Sequence, residues 1–547
     1  MADNAKELWK AIKEDHIKNV HLLSDIRQLA GTNKDPALVT FGTSGWRGEI
    51  GTDFTFNNVR VVTGAIIHTL SSDNAEIKKA LGIRDMDDVR QRGIVIGHDN
   101  RLLGPEFAME VISMMTAEGI KTYYAGETST PEISAAVEML KAACAINLTP
   151  SHNPSNYAGM KFNPSDGGPA GPEITDSIQS EANRMMGEGT IIPEQTAADG
   201  SYEKIDTIDL YLRYIEERGT IDLQKVRDFV RNGDCFIVID HVHGSTRGRP
   251  ARLLFGPDDS PSDKVMFLRT EDDFLFGGVA PEPSEDNMAT VEKEIARSKA
   301  RFRLGVIMDP DGDRIRFADP STQIAMNYFG AMALHFMHVH KQIDGVVAKS
   351  VGTSNFVNAI ASKHDIPVME TKVGFKNFRP YMLKGADKRA IVAFEESDGI
   401  SGFNHTLEKD ALFGLLLAIE MMATTGKNLS EYLDELLEKY GRYYPDRSGI
   451  EVDRELVGSP LREKLASINK RYPVGSTIKI GKKELKVKDV IDVDGIKIVL
   501  EDDSWLMIRP SGTEPKVRFY IEARTPEGKD EIFRTASKLT EEAIRNK

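Results

Sequence analysis

Short apolar runs that alternate with helix-like stretches restrict the fold of this chain more than any other feature of its sequence. Each run has the length and composition of a buried strand, and most are followed by roughly ten to twenty residues of helical periodicity. This alternation is typical of an α/β fold. Several runs end in polar clusters, where open α/β sheets bind their ligands. The runs are Gly93–Asp99, Lys121–Gly126, Ala143–Thr149, Cys235–Asp240, Arg303–Asp309, Asp344–Ser350 and Arg389–Glu395.

The two ends of the chain depart from this pattern. Apolar residues at roughly helical spacing among charges predict a helical arm over residues 1–40. From about Tyr443 onward, alternating stretches at 476–490 and 495–500, a loop and a charged closing helix predict a separate α+β domain. A polar, Gly-containing segment at 187–202 is a plausible connection after a first domain.

Composition limits the class of protein. A chain of 547 residues is long enough for several domains, and its net charge of -14 argues against nucleic acid and anionic membranes as partners. Its two cysteines, Cys144 and Cys235, fit a reducing compartment. The N-terminus lacks a signal-peptide pattern, and the longest apolar stretch, Ala411–Ala423, is too short to span a bilayer. We therefore expect a cytoplasmic, multidomain protein.

The sharpest local feature is an acidic cluster directly after an apolar run. Asp309, Asp311 and Asp313 stand at alternate positions, and carboxylates so close repel one another unless a cation neutralises them. Oxygen donors favour Mg²⁺, Mn²⁺ or Ca²⁺. An EF-hand would need Gly and Glu where the chain has Arg314 and Pro320. A solvated acidic turn is the alternative, but the position after a strand favours Mg²⁺.

A second polar cluster, TPSHNP from Thr149 to Pro154, also follows an apolar run. Its two prolines restrict the backbone around Ser151 and His152, and a serine on such a loop can act as a nucleophile or carry a transferred group. Lys161 follows ten residues later; a lysine near a bound cation and phosphate can have a depressed pKa and act as acid or base. A Ser–His pair alone more often marks a turn than a catalytic dyad. The presence of the aspartate cluster in the same chain reverses this preference.

Two further clusters offer groups for phosphate and sugar binding. In RPSGTEPKVR, the residues Arg509, Ser511, Gly512 and Thr513 present a guanidinium, two hydroxyls and backbone N–H groups. This is the chemistry of a phosphate cradle, and the chain contains no Walker A sequence. The sequence EESDG, which begins at Glu395, offers carboxylates and a hydroxyl that suit sugar hydroxyls. In isolation, an acidic turn explains it equally well.

A group of histidines carries a weaker signal. His335, His338 and His340 lie close together, but the apolar residues around them favour a helix surface or packed histidines over a zinc site.

In this order along the chain, TPSHNP, DPDGDR, EES and RPSGTEP resemble the four signature loops of the α-D-phosphohexomutase superfamily, one from each of its four domains. The segments FGTSGWRG at 41–48, FGG-x-x-PEP at 276–283 and VGFKNF at 373–378 also match. The resemblance covers nearly the whole chain beyond the N-terminal arm.

The resemblance implies a phosphoserine enzyme. Ser151 would carry a phosphoryl group, give it to one end of a sugar phosphate, and recover a phosphoryl group from the other end of the resulting bisphosphate. The serine would share one Mg²⁺ per chain with Asp309, Asp311 and Asp313. Phosphoryl transfer usually depends on a metal ion and cationic side chains that position the phosphoryl group and neutralise its charge.

The same resemblance assigns roles to the residues around that centre. Arg47 and Arg314 would hold the transferring phosphate. Lys161 takes the acid/base position of the family, and His152 supports the loop.

Substrate contacts are implied at three further places. Glu395 and Ser397 match the pair that holds sugar hydroxyls. Lys372 and Lys376 flank a loop that contacts substrate, and the sequence does not choose between them. The phosphate that does not react would be bound by Arg509, Ser511, Gly512 and Thr513, with Lys516 and Arg518 as helpers.

Pattern and resemblance together imply a four-domain α/β architecture around a central cleft, with three similar α/β domains and a C-terminal α+β domain. The expected segments are the helical arm 1–40, domain I with the phosphoserine loop at 41–206, domain II with the metal loop at 207–322, domain III with the sugar loop at 323–443, and domain IV with the phosphate loop at 444–547.

The reaction implied is the interconversion of glucose 1-phosphate and glucose 6-phosphate through glucose 1,6-bisphosphate, which serves as intermediate and activator. The sugar loop departs from the usual glucomutase pattern, because Phe394 replaces a glycine and Asp398 replaces an aromatic residue or glycine. A phosphomannomutase, a bispecific enzyme and a metal-dependent sugar phosphatase therefore stay open. We expect a small sugar phosphate as the partner and a monomer or small homo-oligomer.

Overall fold

The computed structural model of the chain describes residues 2–42, 45–198, 200–256, 262–453, 459–510 and 516–545. They fall into two compact units. The first unit comprises Met1–Ile324 and Gly399–Leu429, and the second unit comprises Ala325–Asp398 and Ser430–Lys547. The four domain boundaries expected from the sequence stay a prediction.

The N-terminal part of the first unit is a mixed sheet between helices. Its strands follow the order β1-β5-β4-β2-β3-β6; β4, β2, β3 and β6 run parallel, and β1 and β5 run antiparallel to their neighbours. The elements are α1 (Ala2–Glu14), α2 (Leu23–Thr32), β1 (Trp46–Glu49), α3 (Phe56–Leu70), α4 (Ala75–Leu81), α5 (Met86–Arg92), β2 (Ile94–His98), α6 (Gly104–Ala117), β3 (Thr122–Glu127), α7 (Thr130–Leu140), β4 (Cys144–Leu148), β5 (Tyr157–Pro164), α8 (Pro172–Gly187) and β6 (Glu203–Lys204).

The predicted helical arm is part of the core of this unit. Trp9 on α1 is 1% exposed, and its Nε1 donates a hydrogen bond of 2.9 Å to the carbonyl oxygen of Ile50. Ile12 and Ile26 are buried in the same cluster. Burial of an indole together with its N–H group makes the arm a stabilising element.

A second mixed sheet follows in the first unit. It has the order β11-β10-β9-β7-β8, with β9, β7 and β8 parallel and β10 and β11 antiparallel. The elements are α9 (Thr207–Arg218), α10 (Leu223–Asn232), β7 (Cys235–Asp240), α11 (Arg249–Phe255), β8 (Val265–Leu268), α12 (Glu285–Arg297), β9 (Phe302–Met308), β10 (Ile315–Ala318) and β11 (Gln323–Ile324).

The next stretch of chain is divided between the units. In the second unit, β12 pairs in parallel with β13 and with β14, whereas β15 and α16 belong to the first unit. The elements are α13 (Met326–His335), a π-helical turn (Phe336–His340), β12 (Val346–Ser350), α14 (Phe356–Lys363), β13 (Val368–Thr371), α15 (Arg379–Met382), β14 (Ala390–Glu395), β15 (Gly399–Gly402), α16 (Ala411–Thr425) and α17 (Leu429–Tyr440).

The C-terminal part of the second unit is an antiparallel sheet covered by helices. Its strand order is β16-β21-β20-β19-β18-β17, and Leu461, Leu465, Ile532 and Leu539 from the helices are buried against it. The elements are β16 (Tyr444–Glu451), α18 (Ser459–Arg471), β17 (Thr477–Ile480), β18 (Lys483–Ile491), β19 (Ile496–Leu500), β20 (Trp505–Pro510), β21 (Lys516–Ala523) and α19 (Pro526–Arg545).

The predicted fold class is therefore confirmed: mixed α/β sheets precede a C-terminal antiparallel sheet domain. Among the described helices, none combines the length and the apolar character needed to cross a bilayer.

Candidate active site

The loop that carries Ser151 connects β4 to β5, and a buried arginine fixes its shape. Arg101 is 2% exposed, and its guanidinium donates only to main-chain oxygens of this segment and to Asp99. A rigid fork of donors can hold several carbonyl groups at once. The carbonyl oxygens that accept are those of Ser151 (2.8 Å), Asn153, Pro154 (2.6 Å) and Tyr157 (3.1 Å).

Ser151 itself has a strained backbone and a directed side chain. Its φ of 59° lies in the left-handed region, and its N–H donates to Thr149 Oγ1 at 3.0 Å. That threonine donates in turn to Asp99 Oδ2 at 2.6 Å. The Ser151 hydroxyl donates to Asp309 Oδ2 at 2.8 Å and lies 3.3 Å from His152 Nδ1. A buried hydroxyl held in this way is oriented before any substrate binds.

The acidic cluster forms the tight connection between β9 and β10. Asp309 Oδ1 accepts from the N–H groups of Asp313 and Arg314 at 3.0 Å each. The loop is also tied to the start of α7: the Thr130 N–H donates to the Asp311 carbonyl oxygen, and the Thr130 hydroxyl donates to Asp311 Oδ2, both at 2.8 Å. Two different sheets of the first unit therefore hold the serine and the aspartates together.

These aspartates can hold a metal ion. Asp309, Asp311 and Asp313 are at most 1% exposed, and one oxygen from each lies within 4.8 Å of the others. Asp311 Oδ1 and Asp313 Oδ1 accept no hydrogen bond from any described residue. Buried carboxylate oxygens without donors suit a hard divalent cation. Burial, followed by the charges of Asp311 and Asp313, raises the pKa of Asp309.

Lys161 on β5 lies between two of these carboxylates. Its Nζ is 2.6 Å from Asp311 Oδ2 and 2.8 Å from Asp313 Oδ2, and the residue is 3% exposed. Burial favours the neutral amine, but the two carboxylates outweigh it and raise the pKa of Lys161 above its usual range. In this arrangement the aspartates stabilise the ammonium. The depressed pKa considered from the sequence refers to a lysine beside a bound cation and phosphate, and it stays a prediction.

A second lysine belongs to the same cluster and was missed by sequence reasoning. Lys409 Nζ lies 3.1 Å from Asp313 Oδ2 and 3.7 Å from Glu408 Oε1. Burial alone would raise the pKa of Asp313, but Lys161, Lys409 and Arg314 outweigh burial and lower it. The local sequence around Glu408, Thr406-Leu-Glu-Lys-Asp410, has no feature that distinguishes it from an ordinary charged turn.

Three predicted cationic or titratable residues surround the cluster. Burial and then the charge of Arg314 lower the pKa of Arg47, while Asp311 and Asp313 oppose this. Burial, Arg314 and Arg47 together hold the pKa of His152 well below its ordinary value, so its imidazole is neutral at physiological pH. The guanidinium groups of Arg47 and Arg314 are close enough to repel each other. Such a pair suits a doubly charged anion such as phosphate.

The predicted sugar loop follows β14 in the second unit. Glu395 is 5% exposed, and its Oε2 accepts from the Gly374 N–H at 3.2 Å. Its neighbour Glu396 turns elsewhere, because its Oε2 accepts from the hydroxyls of Ser350 and Thr353. Both carboxylates in the EES sequence therefore accept hydrogen bonds within the second unit, from different segments.

Part of the predicted phosphate loop lies outside the described residues, namely Ser511, Gly512 and Thr513. Arg509 at the end of β20 is described, and its Nε donates to Asp494 Oδ2 at 2.8 Å. Arg518 on β21 pairs in register with Arg509. The helper Lys516 is exposed. Of the two lysines that flank the other predicted substrate-contacting loop, Lys372 is exposed and Lys376 is half-buried.

The histidines form a packed aromatic group. His335 Nδ1 lies 2.6 Å from the Tyr432 hydroxyl, and its ring contacts those of His340 and His364. In the part of the chain that the structure describes, the aspartate group is the one set of three or more His, Cys, Asp or Glu side chains with ligand atoms this close.

Domain models of one family match the chain along most of its length. The matching models are phosphoglucomutase/phosphomannomutase alpha/beta/alpha domain I at residues 38–187, domain II at 209–322, domain III at 326–440 and the C-terminal domain at 459–537.

Individual proteins agree with this match. Phosphoglucomutase 1 of Drosophila melanogaster is 29% identical over 484 residues, which cover 79% of this chain and 83% of the fly protein. The phosphoglucomutase/phosphomannomutase of Thermococcus kodakarensis is 26% identical, covering 83% of this chain and 90% of its own length. The open-form crystal structure of parafusin, a phosphoglucomutase from Paramecium, has the same fold, with a TM-score of 0.73, 21% identity, and coverage of 94% of this chain and 95% of that one.

The aspartate cluster, the oriented serine and these matches lead to one conclusion. The chain belongs to the phosphoglucomutase/phosphomannomutase family of α-D-phosphohexomutases, enzymes that transfer a phosphoryl group within a sugar phosphate.

Proposed function

We propose that this enzyme is a phosphoglucomutase that interconverts glucose 1-phosphate and glucose 6-phosphate, with Ser151 as the phosphoryl carrier and glucose 1,6-bisphosphate as the intermediate. The single observation that carries the proposal is the Ser151 hydroxyl, buried and directed at Asp309 within the aspartate cluster. A nucleophile beside a cluster of metal-binding carboxylates is the arrangement that metal-assisted phosphoryl transfer needs.

We assign one Mg²⁺ to Ser151 and the three aspartates. The buried oxygens of Asp311 and Asp313 that accept no hydrogen bond support this assignment. A bound Mg²⁺ supplies a Lewis acid that neutralises charge on the phosphoryl group. The protein's own part is to orient the serine oxygen and to exclude water, since Ser151 and the aspartates are at most 1% exposed.

The proton chemistry falls to Lys161. When the phosphoryl group passes from the serine oxygen to a sugar hydroxyl, that hydroxyl loses a proton and the serine oxygen gains one. The carboxylates of Asp311 and Asp313 favour the ammonium form of Lys161. As an ammonium, Lys161 would donate a proton to the departing serine oxygen, while the proton of the attacking sugar hydroxyl would pass to an oxygen of the transferred phosphoryl group; in the reverse step both protons return. We assign Arg47 and Arg314 to the transferring phosphate, and the neutral His152 to support of the loop.

The remaining predicted residues are assigned to the rest of the substrate. We assign Glu395 and Ser397 to the sugar hydroxyls, and Arg509 with Ser511, Gly512 and Thr513 to the phosphate that does not react. Lys372 or Lys376 is a further contact. A reaction that turns its substrate around needs such a remote anchor, because the two ends of the bisphosphate must alternate at one reactive serine.

The two departures from the glucomutase sugar loop have structural explanations within the second unit. Phe394 is fully buried, and its ring lies over Gly330, where a Cβ would overlap it. Asp398 has a φ of 70°, which aspartate tolerates better than most residues, and its Oδ2 lies 3.4 Å from Arg447 Nη2. Both side chains are thus engaged within the second unit.

The test is turnover of glucose 1-phosphate with Mg²⁺ and a trace of glucose 1,6-bisphosphate, followed as glucose 6-phosphate, with mannose 1-phosphate measured in parallel. Rapid glucose and slow mannose conversion is the expected result; equal rates would favour the bispecific alternative, which the name of the Thermococcus relative keeps open. Ser151→Ala should abolish turnover and the phosphoserine mass, while Ser155→Ala in the same segment should not. Release of inorganic phosphate instead of the isomer would identify a phosphatase.

A further inference from the structure

One carboxylate in the second unit links the phosphate anchor to the loop beside the sugar-binding glutamate. Asp494 lies between β18 and β19, and its Oδ2 accepts from Arg509 Nε at 2.8 Å and from the Val373 N–H at 3.1 Å. The next amide along the chain, that of Gly374, donates to Glu395 Oε2 at 3.2 Å. The consecutive N–H groups of Val373 and Gly374 therefore connect the carboxylate of Asp494 with that of Glu395.

The chain around Asp494 is shaped for this contact. Gly495 has a φ of 105°, and a Cβ at this position would lie 2.6 Å from the Ile508 carbonyl oxygen and 3.0 Å from Arg509 Cα. Only glycine permits so close an approach of the two strands. The segment at Val373 is closed on itself as well, since Asn377 Nδ2 donates to its carbonyl oxygen at 3.1 Å.

The environment makes the Asp494–Arg509 contact a directional one. The two side chains are 26% and 19% exposed. Burial opposes the charge of Arg509, but Tyr520 and Asp494 outweigh burial and raise its pKa. A partly buried, charge-assisted hydrogen bond at Nε fixes the plane of the guanidinium, and with it the directions in which the two terminal nitrogens can donate.

We propose that Asp494 is a positioning residue for substrate recognition: it orients Arg509 and, through Val373 and Gly374, sets the spacing between the phosphate-binding guanidinium and the sugar-binding carboxylate of Glu395. This inference rests on the proposed function, because it takes Arg509 as the anchor of the distal phosphate. The spacing selects substrates by the distance between their phosphate and their ring hydroxyls. Asp494 itself acts only through its neighbours and does not touch substrate.

A double-mutant cycle tests this assignment. In the full-length Ser151→Ala protein, which binds substrate without turnover, the dissociation constant for glucose 6-phosphate is measured by calorimetry for Asp494→Ala, Arg509→Ala and the pair. Asp494→Ala alone should weaken binding about tenfold. In the Arg509→Ala background, adding Asp494→Ala should leave the dissociation constant unchanged. Equal losses in both backgrounds, or no loss from Asp494→Ala, would overturn the inference.

Two further variants separate positioning from a general effect on folding. Asp494→Asn keeps an oxygen that accepts from Arg509 and Val373 but loses the charge, so its loss should be smaller than that of Asp494→Ala. Asp492→Asn, two residues away on the exposed side of the same turn, should bind as the parent does. In the Ser151-containing enzyme, Asp494→Ala should raise KM more than it lowers kcat, with an unchanged thermal unfolding midpoint; a fall in kcat alone would contradict the role.

Failure of the inference and failure of the proposed function give different results. If the Ser151→Ala parent binds no glucose phosphate and the native enzyme does not turn it over, the proposed function is wrong. If the Ser151→Ala parent binds glucose 6-phosphate and the native enzyme turns it over, but Arg509→Ala changes neither the binding nor the turnover, the anchor assignment is wrong. If Arg509→Ala weakens binding while the cycle is additive, only the positioning role of Asp494 is lost.

Discussion

The hydroxyl of Ser151 donates a 2.8 Å hydrogen bond to Asp309, a residue 158 positions further along the chain and on a different sheet. Both side chains are almost fully buried. Arg101 fixes the serine loop from one side through main-chain oxygens, and Asp309 fixes the serine side chain from the other. The serine oxygen therefore has a set direction before any ligand binds.

Replacement of Asp311 tests the metal assignment. Asp311→Asn removes one negative charge and puts an amide in place of a carboxylate oxygen that no described donor satisfies, so the affinity for Mg²⁺ and the rate should both fall, the rate by about 10²-fold or more. Turnover measured against Mg²⁺ concentration checks this. Asp73→Asn, at an exposed position, is the control. A variant with the native Mg²⁺ dependence would remove Asp311 from the metal site.

Replacement of Lys161 tests the proton chemistry. Lys161→Met leaves the carboxylates of Asp311 and Asp313 without the ammonium 2.6 and 2.8 Å away, and kcat should fall about 10²–10⁴-fold, the usual contribution of a general acid or base. Lys78→Met, on the surface helix α4, should keep the native rate. The measurement is kcat at saturating glucose 1-phosphate. A fall confined to KM would assign Lys161 to binding instead.

Stability in mild acid should depend on His335. Burial, followed by the charges of Lys439, His364 and His340, lowers the pKa of His335 to about 4. Since the ordinary value is about 6.5, the unfolded chain binds more protons than the folded chain between these values. The free energy of unfolding therefore rises with pH through this window, and up to about 3 kcal/mol is lost as the pH falls from 6.5 to 4.

His335→Gln removes this titration. The measurement is urea unfolding of the native and variant proteins at several pH values. Above pH 6.5 the difference between their unfolding free energies should be constant. Below pH 6.5 the native protein should lose more unfolding free energy than the variant. His21→Gln, at an exposed position, should follow the native protein throughout. Parallel curves for native and His335→Gln proteins would contradict the prediction.

The N-terminal arm should contribute to the stability of the first unit. Trp9→Ala removes a side chain that is 1% exposed and deprives the Ile50 carbonyl of its donor, so we expect a loss of about 3–5 kcal/mol of unfolding free energy. Ile17→Ala changes a residue that is 78% exposed and should cost less than about 0.5 kcal/mol. Circular dichroism during urea unfolding measures both, and equal losses would mean that the arm is not packed as described.

Elements that depend on local pattern were predictable from the sequence. The apolar run at 303–309 is the strand β9, and the run at 143–149 contains β4, because burial on both faces of a strand leaves a continuous apolar stretch. The aspartate cluster was equally visible, since its three carboxylates lie within five residues. The family resemblance extended this local reading to the fold class.

Residues that reach the site from distant parts of the chain could not be predicted in this way. Arg101 lies 50 residues before Ser151, and neither spacing nor composition marks it as the residue that shapes the loop. Thr130 and Lys409 approach the aspartates from α7 and from the segment before α16. Their roles follow from tertiary contacts, for which the sequence carries no local signal.

The first unit is discontinuous in the chain, and this has a consequence for its synthesis. Helix α16, whose residues Ala411–Met422 are buried, packs on α10, β9 and β10, yet a ribosome completes it only after residues 325–398 have emerged. At the usual pace of translation those 74 residues take roughly 4–15 s. For that interval, the apolar surface that α16 later covers on the strands flanking the aspartate cluster is exposed to solvent or to chaperones. Lys409 arrives with the same returning segment, so the charge balance around Asp313 is among the last features of a newly made molecule to be established.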